Sequence, residues 1–87
     1  MRRPSLPKIE LRPICVGTGS QDYEGRLAVV NGKLVAVLVR LDDPIHDSAR
    51  GAWFLEAGFG RYDQAKGRSI FGDLADASEW LRKRAEG

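Results

Sequence analysis

The stretch GRLAVVNGKLVAVLVRL, from Gly25 to Leu41, constrains this chain more than any other part of it. Asn31-Gly32 lies between two runs rich in Val and Leu, and both central residues of a type I′ turn need positive φ, which Asn and Gly tolerate best. The stretch therefore predicts a β-hairpin. A turn of that type pairs Val30 with Lys33, Val29 with Leu34, Ala28 with Val35 and Leu27 with Ala36. Paired residues share a face of the sheet. Leu27, Val29, Leu34, Ala36 and Leu38 are thus expected on one face, and Ala28, Val30, Val35, Val37, Val39 and Leu41 on the other. Both faces are apolar. A sheet half exposed to water would alternate apolar with polar residues, so the hairpin is expected to be central and covered on both sides.

The flanking segments complete a small α+β fold. Pro4, Pro7 and Pro13 disfavour helix, and residues 1–11 read as an extended N-terminal arm ahead of a single domain at 12–87. PICVGT reads as a short strand and GSQDYEG as a polar connection rich in turn formers. Beyond the hairpin, DDPIHDSAR is expected to be a loop and GAWFLEAGFG a further strand. Trp53, Leu55, Ala57 and Phe59 point one way from that strand, and Phe54 and Glu56 the other. RYDQAKGRS is a second polar loop that leads through Ile70 and Phe71 to a C-terminal helix. Asp73 is its expected N-cap, Arg82, Lys83 and Arg84 lie in its last turn, and Gly87 follows it. Leu74, Ala77, Leu81 and Ala85 form its apolar stripe, with Trp80 beside it and a Glu79–Lys83 pair opposite. The expected fold is β-β-β-β-α: a four-stranded antiparallel meander with one C-terminal helix packed on one face.

One helix is about 10 Å wide and strands lie about 4.8 Å apart, so the helix covers two or three strands on one side only. The uncovered apolar face is expected to meet a second copy of the chain, because monomers seldom expose large apolar patches. The candidate interaction surface comprises Val30, Val35, Val37, Val39, Phe54 and Glu56. Glu56 stands mid-strand between apolar neighbours: it is either an edge or solvent-facing position, or a partly buried carboxylate that pairs with a cation such as Arg40 or Arg61 at that surface.

Composition narrows the classes. A chain of 87 residues is one domain, burying about 60–65% of its unfolded surface. With 43% hydrophobic and 30% charged residues it belongs with folded chains rather than disordered ones. Its single cysteine, Cys15, permits no internal disulfide and points to a reducing cytoplasm. The opening MRRP is followed by SLPKIELRP, where a signal peptide would need an apolar segment, so no export is expected. The longest apolar run, Leu34 to Val39, is far short of the roughly 20 residues that span a bilayer, so no membrane partner is expected.

No motif points to catalysis, to a metal or to a cofactor. VGTGSQDYEG carries Gly17 and Gly19 after a strand, but Asp22 occupies the third glycine position of a dinucleotide fingerprint and no helix follows, so the segment reads as a turn. DDPIHD offers Asp42, Asp43, His46 and Asp47 as ligand types, yet lacks the second His or Cys of a zinc site and the glycine and terminal Glu of a calcium loop. It reads as a solvated acidic turn. His46 is the only histidine, and Cys15, between Ile14 and Val16, reads as a small strand residue rather than a nucleophile.

The order N-G hairpin, WFLEAGFG at Trp53–Gly60, loop, then F-x-D-L-x-x-A-x-x-W at Phe71–Trp80 resembles a group of short bacterial proteins of unknown function. The resemblance covers roughly the last two-thirds of the chain. It implies a similar fold and a bacterial cytoplasmic origin, and supplies no activity. The reading preferred from sequence is a non-catalytic protein-interaction module that homodimerises through its sheet and recruits another protein by the aromatic strand. The alternative is a small nucleic-acid-binding or regulatory protein using Arg2, Arg3 and Lys8 on the arm and Arg82, Lys83 and Arg84 at the helix end. Net charge +2 with pI about 9.0 is weak support for that alternative. Small-molecule binding ranks third, because one sheet and one helix leave little volume for a pocket unless two subunits enclose it.

Overall fold

A computed structural model of the chain describes residues 6–63 and 68–86. Arg2 and Arg3 of the expected arm, and Gly87 beyond the helix, lie outside the described residues. The elements are β1 (Ile9–Cys15), β2 (Glu24–Val30), β3 (Lys33–Arg40), β4 (Trp53–Gly58), β5 (Ile70–Phe71) and α1 (Leu74–Glu86). All five strands form one antiparallel sheet in chain order. The α+β class and the single C-terminal helix are as the sequence predicts, but the meander has five strands rather than four. The added strand is Ile70–Phe71, which pairs with Phe54 and Trp53. Two residues are too short to display a period of two, so the sequence reads them as the end of a loop. No helix is long and apolar enough to cross a membrane among the described residues.

β1 begins inside the segment expected to be an arm. Its start is fastened to the hairpin turn: the Lys8 amide donates to the Asn31 side chain at 2.9 Å, and the Asn31 amide donates to the Lys8 carbonyl at 2.9 Å. Pro13 is accommodated because β1 is an edge strand, where a missing N–H costs least. At the turn itself, Asn31 and Gly32 have φ of 52° and 82°, as a type I′ turn needs.

The hairpin follows the expected register for only two pairs, Val30 with Lys33 and Val29 with Leu34. Ala28 then faces Ala36, and Leu27 faces Val37, so Val35 is an extra residue in β3. Such a bulge exchanges the faces of everything beyond it relative to the neighbouring strand. Ala36 and Leu38 therefore join Ala28 and Val30, while Val37 and Val39 join Leu27 and Val29. This corrects the expected face assignment. The first set meets the helix: Ala28, Val30, Ala36, Leu38, Trp53, Leu55 and Phe71 form one buried cluster with Ala77 and Leu81 of α1 and with Tyr62.

The helix starts as its sequence dictates. Asp73 accepts from the Asp76 amide at 2.8 Å, and the Asp76 carboxylate accepts from the Gly72 amide at 3.2 Å. Arg68 grips Asp76 with two bonds of 2.6 and 3.0 Å while its guanidinium lies 4.9 Å from the Phe71 ring centre. At the other end, the Arg61 side chain donates to the carbonyls of Arg84 and Ala85, satisfying acceptors that the helix leaves open. Trp80 packs its ring against Phe71 and Tyr62, with centroids 5.3 and 6.2 Å away.

Tyr62 reaches this core because the 3₁₀ turn Gly60–Tyr62 folds back over Gly58. A Cβ at Gly58 would lie 1.9 Å from the Tyr62 carbonyl oxygen, which is backbone and cannot rotate away. Gly58→Ala is expected to displace the turn and to cost about 3 kcal/mol, read as a lower urea midpoint with an unchanged slope.

Candidate functional site

Among the described residues no α-helix lies over the face of the sheet away from α1, and two connections cover part of it instead. One is the β1–β2 connection, residues 16–23, and the other the β3–β4 connection, residues 41–52. Each loop is shaped by short polar side chains that bond to nearby backbone. In the first, the Thr18 hydroxyl donates to the Asp22 carbonyl at 2.7 Å, and the Asp22 amide donates to the Ser20 hydroxyl at 3.0 Å. In the second, Asp43 accepts from the Ile45 amide at 3.1 Å, Pro44 opens the 3₁₀ segment Pro44–Ala49, and Asp47 adopts a φ of 52° to turn the chain back. Gly51, at φ 88°, completes the return to β4.

Asp22 joins the two loops. Its Oδ1 accepts from the amides of Asp42 and Asp43 at 2.6 and 2.7 Å, and its Oδ2 is bonded to the His46 Nε2. At 9% exposure it is the one buried charged residue among those described. Burial pushes its carboxyl up, but the His46 hydrogen bond, the amides of Asp43 and Asp42 and the His46 charge outweigh that and hold it below its ordinary 3.8. The other acidic residues of the turn have separate roles. Asp42 binds Arg40 at 3.2 Å, and Asp43 caps the 3₁₀ turn. Among the described residues no group of three His, Cys, Asp or Glu side chains is placed to hold a metal ion.

Between these loops and the sheet lies a groove of about 610 Å³. Val39, Leu41, Phe54 and Ile70 form its apolar floor. Thr18, Asp22, His46 and Glu56 supply its polar groups. Glu56 is there because β4 also carries a bulge: Leu38 faces Leu55 and Val37 faces Ala57, leaving Glu56 without a cross-strand partner. It is exposed, and the alternative pairing with Arg40 or Arg61 is not formed. Arg40 turns to Asp42 and Glu24, and Arg61 caps the helix. Glu56 makes no ion pair among the described residues.

The six residues expected to form one interaction surface are therefore divided by the sheet. Val30 is buried on the helix side, and Val35, at the bulge, packs partly against the same core. Val37 lies on the opposite face, half-buried beside Leu27. Val39, Phe54 and Glu56 belong to the groove on that face. Nothing in the sequence marks out Asp22, whose partners stand 20, 21 and 24 residues away, and His46 reads there as part of a solvated turn. No local pattern separates such an aspartate from any other turn former.

Chemically, the groove is suited to binding. Asp22 orients the His46 imidazole, yet the Thr18 hydroxyl is committed to a carbonyl, and Cys15 is exposed outside the groove lining. Comparison with protein-family models finds no match for the chain, and comparison with curated proteins and with solved structures finds none. The resemblance carried by Trp53–Gly60 and Phe71–Trp80 stays an expectation.

Asp22→Ala leaves two amides and an imidazole without their acceptor and is expected to cost about 2 kcal/mol at pH 7. Because the folded-state carboxyl lies below 3.8, its contribution is complete above that value and is lost as pH falls through the lower, folded value. Urea unfolding of the two proteins from pH 7 to pH 2.5 should therefore show the gap narrowing only below about pH 4.

Proposed function

We propose that this chain is a non-catalytic protein-interaction module that homodimerises through the sheet face opposite α1. The observation that carries this reading is the distribution of cover: α1 shields one face, and Leu34 and Ile14 remain 46% and 42% exposed on the other. Leu27 and Val37 lie half-buried between them. Two such faces stack at about 10 Å with their side chains interleaved, as in a β-sandwich.

The chemistry of the patch favours a copy of itself over a charged partner. Its centre is uncharged, and its margin on β1 holds charges of both signs, with Glu10 3.0 Å from Arg12 and 3.8 Å from Lys8. A margin of mixed sign offers its twofold mate opposite charges to meet, whereas a single-signed one would only repel it. No comparable observation favours nucleic acid. Arg82 is engaged with Glu79 and Glu86, Lys83 lies 3.9 Å from Glu79, and Arg84 lies over the Trp80 ring.

Sedimentation velocity from about 1 to 100 μM should show a dimer with a dissociation constant in the micromolar range or below. Leu34→Glu should weaken association at least about tenfold while leaving the thermal midpoint of the monomer unchanged, since Leu34 is already exposed in the single chain. A wild-type protein that stays monomeric at 100 μM, or a Leu34→Glu protein that dimerises as well as the parent, would overturn the reading.

A further inference from the structure

We propose that the groove beside Asp22 and His46 binds a small organic cation with an apolar body, an alkylammonium or arylammonium. This inference does not rest on the dimer. The groove lies on the same face at the Arg40 end of β3, level with Ile14 across Gly25, whereas Leu34, the residue that tests the dimer, lies at the hairpin end.

Three observations converge on that ligand class. The volume of about 610 Å³ is that of a small-molecule site. Among the described residues its charged lining is acidic: Asp22 and Glu56 contribute carboxylates, His46 is the one basic group, and neither Lys nor Arg lines it. The two carboxylates are also in different states of satisfaction. Asp22 is already met by two amides and the imidazole, so its bonds build the wall. Glu56 has no ion-pair partner among the described residues and stands on a bulge at the groove, where a ligand ammonium can meet it.

The floor then selects the rest of the ligand. Phe54 offers a ring to the cation or to an aromatic body, and Ile70 offers apolar surface beside it, with the buried Val39 closing the base on the other side. An anion of the same shape would meet Glu56 and Asp22 as like charges, so discrimination by charge is the signature of the site. The site is also held ready before binding. Asp22 fixes both loops to each other, and the sheet fixes Phe54 relative to Glu56, which limits the ordering that a ligand must induce.

The probe is 2-phenylethylammonium, with 2-phenylethanol and 3-phenylpropionate as neutral and anionic counterparts, titrated into the full chain while amide NMR shifts are followed. The ammonium should give saturable shifts centred on Thr18, Val39, Phe54, Glu56 and Ile70 with a dissociation constant below about 1 mM, and both counterparts should bind at least about tenfold more weakly. Glu56→Gln should reduce ammonium affinity by about tenfold and leave binding of the alcohol unchanged. Glu56 is exposed, so an unchanged spectrum away from the groove shows that the variant is folded. Equal binding of the three probes, preference for the anion, shifts located elsewhere, or no saturation by about 10 mM would each overturn the proposal. Repeating the titration with Leu34→Glu separates this outcome from that of the dimer: the groove is expected to bind equally well in a protein that cannot associate.

Discussion

Side chains on a strand alternate with a period of two, so one unpaired residue decides which face a whole strand end presents. In this chain the residue is Val35. Its insertion turns Ala36 and Leu38 toward α1 alongside Ala28 and Val30, and sends Val37 and Val39 to the opposite side. Small side chains on the helix face then let the helix approach. Ala28, Ala36 and Ala77 are fully buried where sheet and helix meet, while Phe71, Leu55, Leu38 and Leu81 supply the volume. Without that bulge, Ala36 and Leu38 would share the opposite face with Leu27 and Val29, and the helix would meet Val35, Val37 and Val39 instead.

The same geometry creates the need for Asp22. With only one helix available, Val39 and Leu41 on the other face must be covered by loops, and loops carry backbone amides that need partners away from water. A single carboxylate meets that need by accepting from Asp42, Asp43 and His46. Burying an unpaired charge there would be prohibitive, but three donors around one carboxylate make it the means of joining two otherwise separate connections. Val39 and Leu41 are left with 2% and 6% exposure as a result. The groove is the space that remains where the loops stop short of Phe54 and Ile70.

The legible parts of this fold are those whose signals are local. Asn31-Gly32 placed the turn, Asp73 and the spacing of Leu74, Ala77 and Leu81 placed the helix, and the antiparallel order follows from short connections. The two bulges were not legible, because Val35 looks like any other valine in a Val-rich run and Glu56 like an exposed strand position. Nor was β5, since Ile70 and Phe71 are strand only by virtue of Trp53 and Phe54 beside them. The candidate site was least legible. Val39, Phe54 and Glu56 stand out in the sequence, but for an interface, and the contacts that build the groove join residues some twenty positions apart.

The two edges of the sheet bear on where a second copy can attach. β5 offers only two residues, and β1 carries Pro13 together with the charged pair Glu10 and Arg12. Short strands, proline and charge are what keep sheets from adding strands at their margins. Growth by edge pairing is thus disfavoured on both sides, while Leu34 and Ile14 stay exposed on the face. Face-to-face association removes apolar area from water without requiring new ladder hydrogen bonds, and it closes on itself with twofold symmetry. Leu34 lies at the hairpin end of β3 and Val39 pairs with Phe54 at the Arg40 end, so association centred on Leu34 leaves Phe54 and Glu56 free to receive a ligand.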